Sequence, residues 1–173
     1  MLMKHPLTDI GLKKFVDAGN YKWGFGERWS WQILGIKDGF RYQTSRNYQR
    51  YRDAYLQWSG GQMPKYGTLW SIYYPNVMLE WYPGALVIST VLPVAPDQTI
   101  NVLEFYYPEE VALFERELVE AHQAAYHESA AEDAAACVWL QKGRQALYAL
   151  GEDDAGPYHS PHEHGMVHFH EFW

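Results

Sequence analysis

The feature that most constrains the fold is a series of four runs rich in β-branched and aromatic residues. The runs span residues 68–74, 77–82, 85–92 and 99–107. Pro75-Asn76, Pro83-Gly84 and residues 93–98 separate them, and residues of these types favour turns. Because short connections join antiparallel neighbours, the runs predict one antiparallel sheet. Its core face is expected to carry alternate side chains of the third run: Leu86, Ile88, Thr90 and Leu92.

Helical spacing replaces strand spacing after residue 107. Pro108 and the two acidic residues after it are typical of the first turn of a helix. Apolar residues then recur at helical intervals: Val111, Phe114, Leu118 and Ala121. The pattern predicts a helix to about Tyr126, a break or bend near Glu128-Ser129 and a second helical segment from Glu132 to Leu150. Strands followed by a long helix favour an α+β domain, in which the helix packs on one face of the sheet.

The N-terminal part of the chain carries weaker patterns. Apolar and polar residues alternate from Trp23 to Ile36, which predicts strand, and a helical piece is predicted over Tyr51–Trp58. No repeat, low-complexity segment or linker divides the sequence. A chain of 173 residues suits one domain with a sizeable core, so we predict a single unit over residues 1–173.

Composition argues against several classes of partner. The net charge of -7 and the pI near 5.6 argue against nucleic acid, whose phosphates require a basic surface. No apolar run approaches the roughly 20 residues that cross a bilayer, and the N-terminus lacks the apolar core of a signal peptide. Cys137 is the one cysteine, which excludes an internal disulfide and favours a reducing compartment. We therefore expect a soluble, cytoplasmic chain.

One carboxylate stands out within the second helical segment. At helical spacing, Asp133 shares a stripe with Cys137, Leu140 and Gln141, and the intervening alanines leave room for close approach. An unpaired buried charge is costly, so a cation, a metal ion or solvent must face this carboxylate. Residue types alone favour solvent exposure near the positive end of a helix dipole.

The spacing around this carboxylate carries a resemblance to a known family. Glu132-Asp133 is followed by Cys137, Gln141 and Gly143. The C-terminus carries further matching residues: Ser160, Pro161, Glu163, Gly165, Val167, Phe169, His170 and Trp173. In both stretches the chain resembles the catalytic domain of Rieske-type non-haem iron oxygenase alpha subunits, which hydroxylate aromatic rings or oxidise quaternary amines. The resemblance implies a helix-grip fold, in which a curved antiparallel sheet wraps a long C-terminal helix around a substrate cavity.

The resemblance also implies an iron site of two histidines and one carboxylate. Asp133 is by this resemblance the carboxylate ligand of a mononuclear Fe(II). The family supplies its histidines from a segment D-x-x-H-x-x-x-x-H, often followed by proline, and His5-Pro6 resembles the end of that segment. His5 is thus the implied second ligand, with an exposed terminal histidine as the alternative. The first histidine would fall immediately before Met1, so we expect an N-terminally incomplete domain.

Two neighbours of Asp133 on the stripe are candidates for the cavity or for the surroundings of the iron. Gln141 could hydrogen-bond a ligand or a group that supports one, since ligating side chains need such support. The alternative for Gln141 is a buried amide tied to the backbone. Cys137 could face the cavity, and the favoured alternative for it is a small buried core residue.

The single cysteine also bears on the source of electrons. A Rieske [2Fe-2S] cluster requires two cysteines and two histidines, so these 173 residues cannot hold one. The resemblance implies that the cluster lies on a missing or separate domain and that a reductase supplies it. It also implies O₂, a small aromatic or quaternary-amine substrate, and a homotrimer as one option for assembly. We expect these residues alone to hydroxylate or demethylate nothing.

Two further groups of residues allow other functions. Aromatic residues on the predicted strands could line a cavity or simply form core: Trp70, Tyr73, Tyr74, Trp81, Tyr82, Phe105, Tyr106 and Tyr107. A cavity without a complete iron site would make the chain a non-catalytic small-molecule-binding module. Histidines near the C-terminus favour packing or subunit contact, with a metal-binding interaction protein as a third hypothesis: His159, His162, His164, His168 and His170. On the long helix, His122 and His127 are expected to be ordinary helix residues, with a position facing the cavity as the alternative for either.

Overall fold

The computed structural model describes residues 22–34, 45–64, 66–152, 158 and 163–172. Its centre is a six-stranded antiparallel sheet in which the strands follow one another in chain order. The strands are β1 Lys22–Gly26, β2 Trp29–Leu34, β3 Thr68–Tyr73, β4 Val77–Tyr82, β5 Ala85–Ala95 and β6 Gln98–Tyr106. The prediction of one antiparallel sheet from the four central runs is confirmed, since β3 to β6 pair in sequence.

Strand boundaries differ from the prediction in two places. The alternating stretch after residue 22 forms two strands, because Glu27-Arg28 turns β1 back onto β2. The turn predicted over residues 93–98 contracts to Pro96-Asp97, since β5 continues to Ala95 with an irregular register between Pro93 and Ala95. As a result, β5 and β6 form a long hairpin with an exposed tip.

Burial along β5 shows which face of the sheet the helices cover. Ala85, Val87 and Ser89 are buried, and Val87 and Ser89 are 0% exposed. The opposite pleat carries Leu86, Ile88, Thr90 and Leu92, none of which is buried. The predicted core face is therefore wrong. Both pleats of this strand are largely apolar, so alternation alone does not determine which of them the helices cover.

The described ranges contain four helices: α1 Arg46–Trp58, α2 Glu109–Phe114, α3 Arg116–Ala149 and α4 His164–Phe172. Of the break or bend predicted near Glu128-Ser129, the break is wrong, since α3 runs through both residues and the interruption lies at Glu115. Contacts with α1 and its N-cap residue explain the continuity. Ser45 Oγ and Asn47 Nδ2 donate to Glu128 Oε2 at 2.9 and 2.8 Å, and Tyr48 Oη lies 2.5 Å from Ser129 Oγ. The polar side chains that suggested a break instead bind a neighbouring helix.

The core forms where α1 packs on the first half of α3. Its buried apolar members are Tyr51, Ala54, Tyr55, Val111, Leu118, Ala121 and Ala125. Tyr51 Oη donates to the backbone oxygen of Pro83 at 2.5 Å, which ties α1 to the turn between β4 and β5. At the rim, Arg50 donates to both carboxylate oxygens of Glu117 at 2.6 and 2.7 Å. Beyond this core, every residue from 131 to 140 of α3 is exposed.

Helix α4 packs against the first hairpin of the sheet. His168 Nε2 lies 2.5 Å from the backbone oxygen of Gly26, and its ring centroid lies 4.4 Å from that of Phe25. A Cβ atom on Gly165 would lie 3.1 Å from Ser30 Oγ, so glycine permits this close approach. These contacts agree with the packing role predicted for the C-terminal histidines. His159 and His162 lie outside the described residues.

The length and composition of the described helices show whether any of them could cross a membrane. None of them is both long enough and apolar enough to cross a bilayer.

Candidate functional site

Asp133 lies in the half of α3 that extends past the core. Cys137 and Leu140, its neighbours on the predicted stripe, are exposed like Asp133 itself. Gln141 is half-buried, and its Nε2 atom lies 3.5 Å from the backbone oxygen of Pro96 in the tip of the β5–β6 hairpin. Across the described ranges, the Asp133 carboxylate has no hydrogen bond or ion pair. Because Cys137 is exposed, its interpretation as a buried core residue is wrong. The Asp133 carboxylate is available to a ligand.

The second predicted iron ligand, His5, lies outside the described residues, so its distance from Asp133 remains a prediction. In the part of the chain that the structure describes, no three His, Cys, Asp or Glu side chains form a metal-binding group. Asp133 as the carboxylate of a triad with two histidines therefore stays a prediction. Its exposed carboxylate suits that role chemically, because it has no ion pair to break among the described residues.

A second carboxylate is buried on the helix-facing side of the sheet. Glu80, within β4, is 9% exposed and accepts a hydrogen bond on each oxygen. Tyr126 Oη from α3 donates to Oε1 at 2.8 Å, and Tyr82 Oη donates to Oε2 at 2.7 Å. Trp70 Nε1 lies 3.4 Å from Tyr82 Oη. Among the described residues, no cationic side chain forms an ion pair with Glu80.

A buried histidine contacts the two tyrosines that donate to Glu80. His122 of α3 is 2% exposed, and its Nδ1 atom lies 3.0 Å from Tyr107 Oη. Its Nε2 atom is buried without a hydrogen-bond partner in the described ranges. Ring centroids of five aromatic residues lie between 5.0 and 6.5 Å from the imidazole: Tyr51, Tyr82, Phe105, Tyr107 and Tyr126. We call Glu80, His122 and the rings of Tyr82, Phe105 and Tyr126 the Glu80 cluster.

The electrostatics of the Glu80 cluster follow from its burial. Desolvation lowers the pKa of His122 from 6.5 to about 4, so the imidazole is neutral near pH 7. Burial and the negative charge of Glu80 raise the pKa of Tyr82 and of Tyr126, so both phenols stay protonated and donate to Glu80. The charge of Asp133 adds to the raised pKa of Tyr126. Tyr126 therefore lies in the electrostatic field of both carboxylates.

Comparison with known proteins identifies the family. Residues 15–173 match the ring hydroxylating alpha subunit (catalytic domain) family. The chain belongs to this oxygenase alpha-subunit family. The prediction drawn from the residues around Asp133 and from the C-terminal motif is therefore confirmed, and both lie within the matched range.

Two curated relatives of this family member are each named putrescine 2-hydroxylase. The protein from Ralstonia nicotianae is 51% identical over 169 residues, which cover 98% of this chain and 45% of the relative. The protein from Bordetella bronchiseptica is 44% identical over 169 residues, covering 98% of this chain and 38% of the relative. The chain thus spans less than half the length of these relatives. No solved structure matches the chain significantly.

The pleat of the sheet divides the aromatic residues that the sequence marked as cavity candidates. Trp70, Tyr82 and Phe105 lie on the helix-facing side, where Tyr82 and Phe105 belong to the Glu80 cluster. The opposite side carries Tyr73, Trp81 and Tyr106, which are 54%, 43% and 47% exposed. Tyr107 contacts His122, and Tyr74 packs on α4. The candidates therefore do not form one cavity lining.

Sequence reasoning missed Glu80, although a signal was present. Glu80 is the one charged residue of β4, VMLEWY, and a carboxylate inside an apolar strand needs a partner. For His122 the sequence favours an ordinary helix residue over one that faces a cavity. Its spacing of four residues from Leu118 and three from Ala125 places it on the buried side of α3. His127, the alternative, is exposed beside Phe105.

Acid should destabilise this fold through His122. Its pKa is about 4 when folded and 6.5 when free, so the unfolded chain binds more protons between these values. The stabilisation is therefore complete above pH 6.5 and is lost as the pH falls toward 4. We expect this residue to lower the free energy of unfolding by about 3 kcal/mol over that interval.

Urea unfolding of the wild type and of His122→Phe from about pH 7 to about pH 4 checks this expectation. The phenylalanine variant should lose less stability on acidification, because the two proteins differ in one titrating group. Equal slopes of stability against pH in both proteins would show that His122 does not titrate as described.

Proposed function

We propose that this chain supplies the iron-binding carboxylate and part of the substrate site of an oxygenase that hydroxylates a small diamine such as putrescine. The observation that carries the proposal is the exposed Asp133 carboxylate on α3, which has no partner among the described residues, in a member of this catalytic-domain family. The names of the two relatives favour a primary diamine over the aromatic or quaternary-amine substrates expected from the sequence. The buried carboxylate Glu80 supports the same choice, because a diamine carries two positive charges.

The arrangement of elements supports a helix-grip domain as part of this proposal. One antiparallel sheet presents a single face to the long helix α3, and Tyr126 of α3 bonds to Glu80 of the sheet. In our proposal the 173 residues form one catalytic domain, and the substrate lies between this sheet face and α3. The exposed half of α3 then carries Asp133 toward the end of the same space.

Asp133 and His5 would hold a mononuclear Fe(II), together with a further histidine. When bound, iron of this type activates O₂ for insertion into a C–H bond. The chain itself holds and orients the organic substrate. Tyr82, Phe105 and Tyr126 supply apolar ring surface that excludes water from the substrate. Gln141 lies two helical turns beyond Asp133 and bonds to the hairpin tip, which would steady this part of α3.

Electrons must come from outside these residues. A Rieske cluster needs two cysteines and the sequence holds one, so the [2Fe-2S] cluster belongs to residues or a protein beyond these 173. We propose that a Rieske domain and a reductase supply the iron, within a homotrimer. Without them we expect the chain to convert no substrate, whatever its iron content.

Hydroxylation of putrescine tests the proposal. The chain, preceded by a segment that supplies the further histidine, is loaded with Fe(II) and supplied with a Rieske protein, its reductase and NADH under isotopically labelled O₂. We expect a product that carries one labelled oxygen atom on carbon 2, detected by mass spectrometry. Omitting the Rieske protein should remove the product. Stoichiometric putrescine binding without iron uptake or product would favour the non-catalytic binding module instead.

A further inference from the structure

We propose that Glu80 and His122 together bind one ammonium group of the diamine substrate, and that this site selects primary amines. The inference rests on the proposed function for its ligand class, and on the geometry of the Glu80 cluster for its location. Neither residue is among the candidate iron ligands.

The carboxylate is the first part of the site. Glu80 is 9% exposed, and the described residues provide two hydroxyl donors but no cation. Buried charges in proteins are generally paired, because desolvation is not repaid by neutral hydrogen bonds alone. Each carboxylate oxygen can accept more than one hydrogen bond, so acceptor capacity remains after the two phenols have donated. An ammonium group supplies both the missing charge and the missing donors.

The orphan nitrogen of His122 is the second part. Tyr107 Oη lies 3.4 Å from the backbone oxygen of Val119 and 3.0 Å from His122 Nδ1, so its one hydrogen can serve either acceptor. In the proposed site the hydroxyl donates to Val119 and accepts from His122, so that the imidazole carries its proton on Nδ1. Nε2 of this tautomer has a lone pair, buried and without a partner in the described ranges. An ammonium N–H satisfies it.

Aromatic rings complete the site. Tyr82 and Tyr126 contact both polar groups: each donates to Glu80, and each ring lies beside the imidazole of His122. Phe105 packs edge-on against Tyr126 with ring centroids 5.4 Å apart. The face of an aromatic ring attracts a cation, so these rings add to the attraction for an ammonium group in the proposed site. Tyr82, Phe105 and Tyr126 keep part of their surface exposed, so a ligand can approach the cluster from their side.

The position of the site relative to Asp133 suits a diamine. Tyr126 and Asp133 are seven residues apart on one helix, which is two turns and about 10 Å along the axis. Residues at this spacing project from the same side of the helix. A four-carbon diamine anchored at Glu80 by one nitrogen would therefore extend along α3 toward Asp133. A quaternary ammonium has no N–H to donate to Glu80 or His122, so it should bind more weakly.

Calorimetric titration of the full chain with putrescine, near neutral pH and without iron, tests this site. We expect Glu80→Gln to weaken putrescine binding about tenfold to a hundredfold, because glutamine keeps the shape and loses the charge. Glu104→Gln is the matched control. Glu104 also accepts from a tyrosine two residues later, Tyr106, but it is exposed and lies on the opposite face of the sheet. The Glu104→Gln variant should bind putrescine with the same affinity as the wild type.

A ligand series on the wild type keeps the test independent of variant folding. Butylamine should bind measurably, its N-trimethylated form at least about tenfold more weakly, and butane-1,4-diol not at all. Unchanged putrescine affinity in Glu80→Gln, or equal affinity for the primary and the quaternary amine, would overturn the site. Glu80-dependent binding without hydroxylated product would leave the site standing and remove the proposed function. Formation of product by a protein whose putrescine binding does not depend on Glu80 would support the proposed function and remove the site.

Discussion

Replacing Asp133 with alanine should abolish both iron binding and hydroxylation. Loss of a residue that only supports a metal ligand typically costs tenfold to a hundredfold in metal affinity, so loss of a ligand itself should cost at least about a hundredfold. The fold should survive, because the side chain is exposed and has no partner within the described ranges. Iron content by metal analysis and the Fe(II) dissociation constant are the direct measurements, with product formation as the second.

The matched control for this change is Glu132→Ala. Glu132 precedes Asp133, is equally exposed on α3 and carries the same charge, so the control separates ligation from general electrostatics. It should keep its iron and its activity. Equal loss of iron in both variants, or full iron content in Asp133→Ala, would remove Asp133 from the metal site. The circular dichroism spectrum of each variant should match that of the wild type.

Leu118→Ala should cause the largest loss of stability among simple core truncations. Leu118 is 2% exposed, belongs to the buried cluster between α1 and α3, and would lie 3.6 Å from a Cβ built on Gly84. Truncating a buried leucine removes apolar burial and leaves a cavity, which costs about 2–5 kcal/mol. Urea unfolding followed by circular dichroism gives the free energy directly.

Leu113→Ala serves as the comparison for this truncation. Leu113 lies on α2, one turn before α3 begins, and is 64% exposed. The same chemical change there should alter the free energy of unfolding by less than about 1 kcal/mol. A similar loss at both positions would mean that the core does not lie between α1 and α3 as described.

The sheet and the family could be predicted from the sequence because each depends on residues that are close together in the chain. The turns at Pro75-Asn76 and Pro83-Gly84 fix antiparallel neighbours through backbone geometry that needs no distant partner. The sequence around Asp133 and near the C-terminus likewise identified the oxygenase family before any fold was known. The assignments of Asp133, Gln141 and Cys137 come from the first of these stretches and that of His5 from His5-Pro6, and all four remain proposals.

Long-range contacts decided what local pattern left open. Glu128 and Ser129 read as a helix break, yet they continue α3 because side chains more than 80 positions earlier bind them. Which face of β5 is buried depends on where α1 and α3 pack, because both faces of this strand are largely apolar.

Sequence by itself thus determined the antiparallel order of the four central strands, the presence of a long C-terminal helix and the family of this chain. Only the tertiary structure brought Glu80 to Tyr126, 46 positions away, and left Nε2 of His122 buried without a partner in the described ranges. The physical reason is that the need of a buried polar group depends on what surrounds it, and those surroundings come from segments remote in sequence.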